Sequence, residues 1–133
     1  FRSAKDEGPK LLIGSLTSEF ENLDTIMHII VAQNIGWDVT YVGNGVPHDE
    51  LIFMANKIKA RAMVIALNHP RDIARKTHEI KTIKETAEQK DNIVLIGKET
   101  SNYRQLADDV KAIISSDLSS FRLTMERLYG LIR

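Results

Sequence analysis

Apolar residues in this chain fall into two kinds of run: short unbroken ones, and longer ones spaced three and four apart. Leu11-Leu12-Ile13 is the first unbroken run, the mark of a strand covered on both faces of a parallel sheet. A polar loop over residues 15–22 follows, carrying Glu19 and Glu21 but no glycine. Leu23, Ile26, Met27, Ile30, Val31 and Ile35 then recur at helical spacing and predict a helix with that face toward the core. Gly36 ends it, because glycine tolerates the left-handed backbone just past a helix. Residues 37–42 predict the second strand, closed by Gly43-Asn44-Gly45-Val46-Pro47.

The alternation continues to the end of the chain. Pro47 opens a helix whose inner face is Leu51, Met54, Ala55 and Ile58. Residues 62–67 are the third strand, with Asn68-His69-Pro70 as its exit loop. A third helix carries Ile73, Ile80, Ile83 and Ala87 on one side and a solvated lysine–glutamate face on the other. Residues 92–96 form the fourth strand, closed by Gly97-Lys98-Glu99, residues 101–109 a short helix, and residues 111–114 the fifth strand. The last helix runs from Asp117 to about Leu128, with Leu118, Phe121, Met125 and Leu128 inward. Five strand–helix units with short connections predict the α/β class, a flavodoxin-like (Rossmann-type) doubly wound parallel sheet of order 2-1-3-4-5 with helices on both faces. Residues 1–9 read as a linker or tail and residues 10–130 as one domain. The start at Phe1, without methionine or a signal pattern, is that of a piece of a longer protein.

Composition narrows the function. Lys+Arg and Asp+Glu both number 18, so no global field draws nucleic acid or an anionic membrane. No apolar run approaches the roughly 20 residues that cross a bilayer. Cysteine is absent, which excludes disulfides, thiolate metal sites and a cysteine nucleophile, and agrees with a cytoplasmic location. His28 at the edge of the first helix, His48 at a helix start, His69 after a strand and His78 on the charged face have no metal-ligand spacing with one another. Trp37 and Met27, Met54, Met63 and Met125 read as packing residues.

Ligands of an open parallel sheet sit at the carboxyl ends of its strands, so the 15–22 loop should touch whatever is bound. That loop lacks the glycines a pyrophosphate requires, and its carboxylates repel phosphate. A phospho-acceptor receiver needs an acidic pair after strand one and an Asp after strand three. Ser15-Leu16 and Leu67-Asn68 stand there instead.

Residues 11–47, with Gly36-Trp37-Asp38-Val39 before the second strand and Gly43-x-x-Val46-Pro47 after it, resemble a cobalamin-binding domain. The resemblance is greatest to the carboxyl-terminal sensor domain of MerR-type transcriptional regulators, and it extends from Lys10 to about Leu128. It implies an acidic residue, a His two later and a Gly three further in the first loop, the His being the lower axial ligand of cobalt. Glu19 matches the acidic position, but Glu21 stands for the His and Asp24 for the Gly. Ala66 replaces a Ser that would hold the nucleotide tail, ahead of Asn68, and Gly97-Lys98 replaces a Gly-Gly. A carboxylate is a hard oxygen donor and a poor substitute for imidazole on cobalt. Asp24 and Lys98 also add bulk and charge where the corrin and its tail would pass.

The resemblance therefore implies a degenerate sensory or interaction module of a bacterial regulator, without enzymatic activity and with no cofactor expected. Its expected partners are a small molecule at the strand ends and a second copy, with no nucleic acid contact and no membrane. Two alternatives stay open: a cobalamin or haem sensor with unusual ligation, and a small enzyme or mutase accessory using Glu19, Glu21 and Lys98. Glu19, Glu21 and Asp24 also have a plain structural reading, as carboxylates favoured at a helix N-terminus. A closed site would have Leu16 and Phe20 folded over the corrin space.

Overall fold

The unbroken apolar runs become the strands of one parallel sheet: β1 (Lys10–Ser15), β2 (Asp38–Tyr41), β3 (Ala62–Ala66), β4 (Ile93–Ile96) and β5 (Ile113–Ser115). Their order is β2-β1-β3-β4-β5, the flavodoxin-like order expected from the sequence. The computed structural model describes residues 8–16, 22–67, 73–89, 91–97 and 104–132. Its helices are α1 (Asn22–Ile35), α2 (His48–Ile58), α3 (Ile73–Thr86), α4 (Arg104–Val110) and α5 (Leu118–Ile132). None of them is long and apolar enough to cross a membrane.

Alternating side chains of each strand feed two cores. Leu12, Met63, Ile65, Ile93 and Leu95 pack with Leu51 and Ala55 of α2, Ile80 and Ile83 of α3, and Leu106 of α4. Leu11, Ile13, Val64, Val94 and Ile96 pack with Ala32 of α1 and with Phe121, Met125 and Leu128 of α5. Both faces of the sheet are thus covered, which is why the strands carry no polar alternation. Gly8 and Pro9, expected in the tail, lie against the sheet edge, with Asp38 N–H donating to the Pro9 carbonyl at 2.9 Å. At the other end α5 continues to Ile132, past the expected close at 130.

Gly36 is needed twice over. Its φ of +131° lies where side-chain-bearing residues are strained, and an added Cβ would sit 2.6 Å from the Tyr129 hydroxyl. Trp37 follows it, fully buried, its indole N–H donating to the Met125 carbonyl at 3.2 Å.

Helix α1 is rolled away from expectation over its first two turns. Of the predicted core face, Leu23, Ile26, Met27 and Ile30 point outward, 69%, 50%, 40% and 48% exposed, whereas Val31 and Ile35 are half-buried against the core as expected. Thr25 and Ala32 are buried instead, with His28 and Ile29 half-buried between them. Both stripes share the same i, i+3, i+4, i+7 spacing, so periodicity alone could not choose between them. The smaller side chains Thr25 and Ala32 took the inside because they let the helix lie close to β2 and α5. Met27 is accordingly not a core residue, whereas Met63 and Met125 are fully buried.

Candidate functional site

The carboxyl ends of β3 and β4 stop beneath the N-terminal turns of α1 and α5, and a pocket of about 220 Å³ opens between them. Ala66, Ile96 and Gly97 come to it from the strand ends, Asp24, Thr25 and His28 from α1, and Ser116, Asp117 and Leu118 from the start of α5. Three of the positions singled out by resemblance, Asp24, Ala66 and Gly97, are therefore brought together. Glu19, Glu21, Asn68 and Lys98 lie outside the described residues, as do Phe20 and His69.

The floor is set by backbone. Gly97 has φ +140°, and a Cβ there would lie 2.4 Å from the Leu67 carbonyl oxygen, so the end of β4 can pass β3 only as glycine. Ala66 is buried, and its carbonyl accepts a 3.0 Å hydrogen bond from the buried Ser15 hydroxyl. Ser15 belongs to β1 rather than to the loop that follows, and its hydroxyl is held by the sheet.

The walls carry the polar chemistry. His28 stands one turn after Asp24 on the same face of α1, its Nδ1 2.7 Å from the Asp24 carbonyl. A carbonyl only accepts, so Nδ1 carries the proton and Nε2 is left with its lone pair in the neutral ring. Nε2 has no hydrogen-bond partner among the described residues. Across the pocket Asp117 caps α5, its Oδ1 accepting from Ser120 N–H at 2.8 Å. Two carboxylates and one imidazole thus meet over an apolar floor, with no lysine or arginine among the described lining residues. Among the described residues, no group of three His, Asp or Glu side chains is placed to hold a metal.

His28 and Asp117 went unnoticed as site residues in the sequence. The signals were there: His28 is four residues after Asp24, and Asp117 is a capping residue placed just after a strand end. Leu16 also differs from the closed-site expectation. It is buried in the opposite layer with α2 and α3, and its carbonyl accepts from Lys76 Nζ at 2.9 Å, so it does not cover this pocket. Burial raises the Tyr41 phenol above its ordinary pKa, but Tyr41 ends β2 and is not among the lining residues.

No protein-family model matches the sequence, and a comparison with curated proteins finds no match either. Solved structures do match in fold. A cobalamin-binding protein from Desulfitobacterium hafniense superposes with a TM-score of 0.73 at 10% identity, over 92% of this chain and 60% of that one. The chemotaxis protein CheY4 of Vibrio cholerae gives 0.63 at 17% identity, over 91% of this chain and 98% of that one. Oxidized DJ-1 of Toxoplasma gondii gives 0.53 at 16% identity, over 94% and 91%. The chain spans 60% of the length of the cobalamin-binding protein. At these identities the likeness is one of fold: the chain is a flavodoxin-like module with the architecture of a cobalamin-binding domain.

Proposed function

We propose that this chain is a non-enzymatic sensory or interaction module of a bacterial transcriptional regulator, acting in the cytoplasm, whose ligand is not histidine-ligated cobalamin. The observation that carries the reading is Asp24 in the wall of the strand-end pocket. It brings a carboxylate to the place where the cobalamin-binding resemblance calls for a bare glycine. The size of the pocket among the described residues supports the same reading: at about 220 Å³ it falls below the roughly 300–1,000 Å³ of pockets for drug-sized ligands. Asp24, Asp117 and the Nε2 lone pair of His28 favour a small ligand that is neutral or cationic and donates hydrogen bonds. Phosphate-bearing ligands would meet two carboxylates and no lysine or arginine among the described lining residues.

The test is retention of pigment. After mixing with hydroxocobalamin or adenosylcobalamin in the dark, gel filtration should return a colourless protein. A stoichiometric red complex overturns the reading. One observation favours a second reading, a cobalamin or haem sensor with unusual ligation: His28 does place an imidazole in the pocket wall. In that case a coloured complex forms, and His28→Ala shifts its absorption bands or releases the cofactor.

A further inference from the structure

The outward face of α1 is the surface left without a role. Its exposed side chains are Leu23, Ile26, Met27, Ile30, Gln33 and Asn34, and none is charged. Asp24 and His28, the acidic and the basic residue of the helix, both line the pocket on another side. A helix apolar on opposite sides is ordinarily buried on both. We infer that this stripe is a dimer interface, in which α1 pairs with α1 of a second copy of the chain about a two-fold axis.

Area and charge select that occupant. At their exposures the four aliphatic side chains present roughly 400 Å² of apolar surface, a patch size that marks interaction sites. A symmetric pair buries roughly 800 Å² from these side chains alone, and the rim of Gln33 and Asn34 carries it to the roughly 1,000 Å² that a specific interface requires. A two-fold contact sets each surface against itself, so a charged face would repel its copy while an uncharged one does not. Basic or acidic partners find nothing here to pair with. Helices that lie on membranes flank their apolar face with Lys or Arg, and α1 has neither. The spacing is also self-complementary. With the axis between Ile26 and Met27, antiparallel helices place Leu23 of one copy against Ile30 of the other.

Analytical ultracentrifugation of the chain between about 1 and 200 µM should show a reversible monomer–dimer equilibrium. Ile26→Glu buries an unpaired carboxylate in each half of the interface and should raise the dissociation constant roughly 100-fold, with an unchanged circular dichroism spectrum. Because the sequence has no cysteine, Met27→Cys gives a second, independent readout. It should cross-link under mild oxidation, whereas Phe53→Cys on the exposed side of α2 should not. A chain that stays monomeric throughout overturns the proposal. So does a dimer indifferent to Ile26→Glu, equal cross-linking through Phe53→Cys, or a monomer that floats with phosphatidylcholine vesicles through this stripe.

Discussion

The His28 imidazole meets the Phe121 ring at an interplanar angle of 67°, with ring centroids 4.7 Å apart. Phe121 is fully buried in the layer between the sheet, α1 and α5. The nitrogen-bearing wall of the pocket is therefore fastened at two points, to its own helix through Nδ1 and to α5 through the ring.

That contact can be measured. Edge-to-face ring pairs contribute about 0.5–1.5 kcal/mol beyond the area they bury. A double-mutant cycle of His28→Ala and Phe121→Leu, read by urea denaturation, should give a coupling energy in that range. Strictly additive effects would mean that the two rings are neighbours without a mutual interaction.

Two glycines separate close approach from backbone conformation. Gly97 combines φ +140° with a 2.4 Å Cβ-to-oxygen approach, whereas Gly43 has φ +100° and open space around its missing Cβ. Gly97→Ala should destabilise by more than about 2 kcal/mol, since strain and collision add. Gly43→Ala should cost about 1 kcal/mol, from conformation alone. Equal shifts in urea midpoint at constant slope would show that the β3–β4 approach relaxes without penalty.

Trp37 is the single tryptophan and has no exposed surface. Its indole lies edge-on to Tyr129 at 5.9 Å and donates to the Met125 carbonyl, so it reports the docking of α5. Its fluorescence should resist acrylamide in the native state, and Trp37→Phe should cost about 1–3 kcal/mol through a lost hydrogen bond and lost volume. Ready quenching would place α5 away from the strand that Trp37 precedes.

How much the sequence revealed differs by element, for physical reasons. Runs such as residues 62–66 and 93–96 are apolar at every position, which only a doubly covered strand tolerates, so the sheet and its order were legible. Asp24, Ala66 and Gly97 were singled out in the sequence only through the resemblance to a cobalamin-binding domain, and they meet at one pocket because strand ends and helix starts converge in this fold. His28 was not singled out, since its role depends on which way α1 is rolled. That roll was hidden because Leu23, Ile26, Met27 and Ile30 mimic a core stripe better than Thr25, His28, Ile29 and Ala32 do. Hydrophobicity ranks residues by water avoidance. Close helix–sheet approach also rewards small size, and the larger apolar face is then left exposed.

The roll of α1 is itself open to measurement, by one substitution on each face. Ala32 has no exposed surface and packs against Leu11, Ile13 and Trp37. Ala32→Leu adds volume to a filled layer and should destabilise by about 1–3 kcal/mol. Ile30, on the opposite face, has water beside it in the monomer. At protein concentrations low enough to hold the chain monomeric, Ile30→Ala should shift stability by no more than about 0.5 kcal/mol. Were the stripe of Leu23, Ile26, Met27 and Ile30 the true core face, the order would invert. Ile30→Ala would then leave a cavity costing about 2–5 kcal/mol, and Ala32→Leu would be nearly silent. Two urea titrations at sub-micromolar protein, monitored by Trp37 fluorescence, therefore decide which side of the helix the sheet holds.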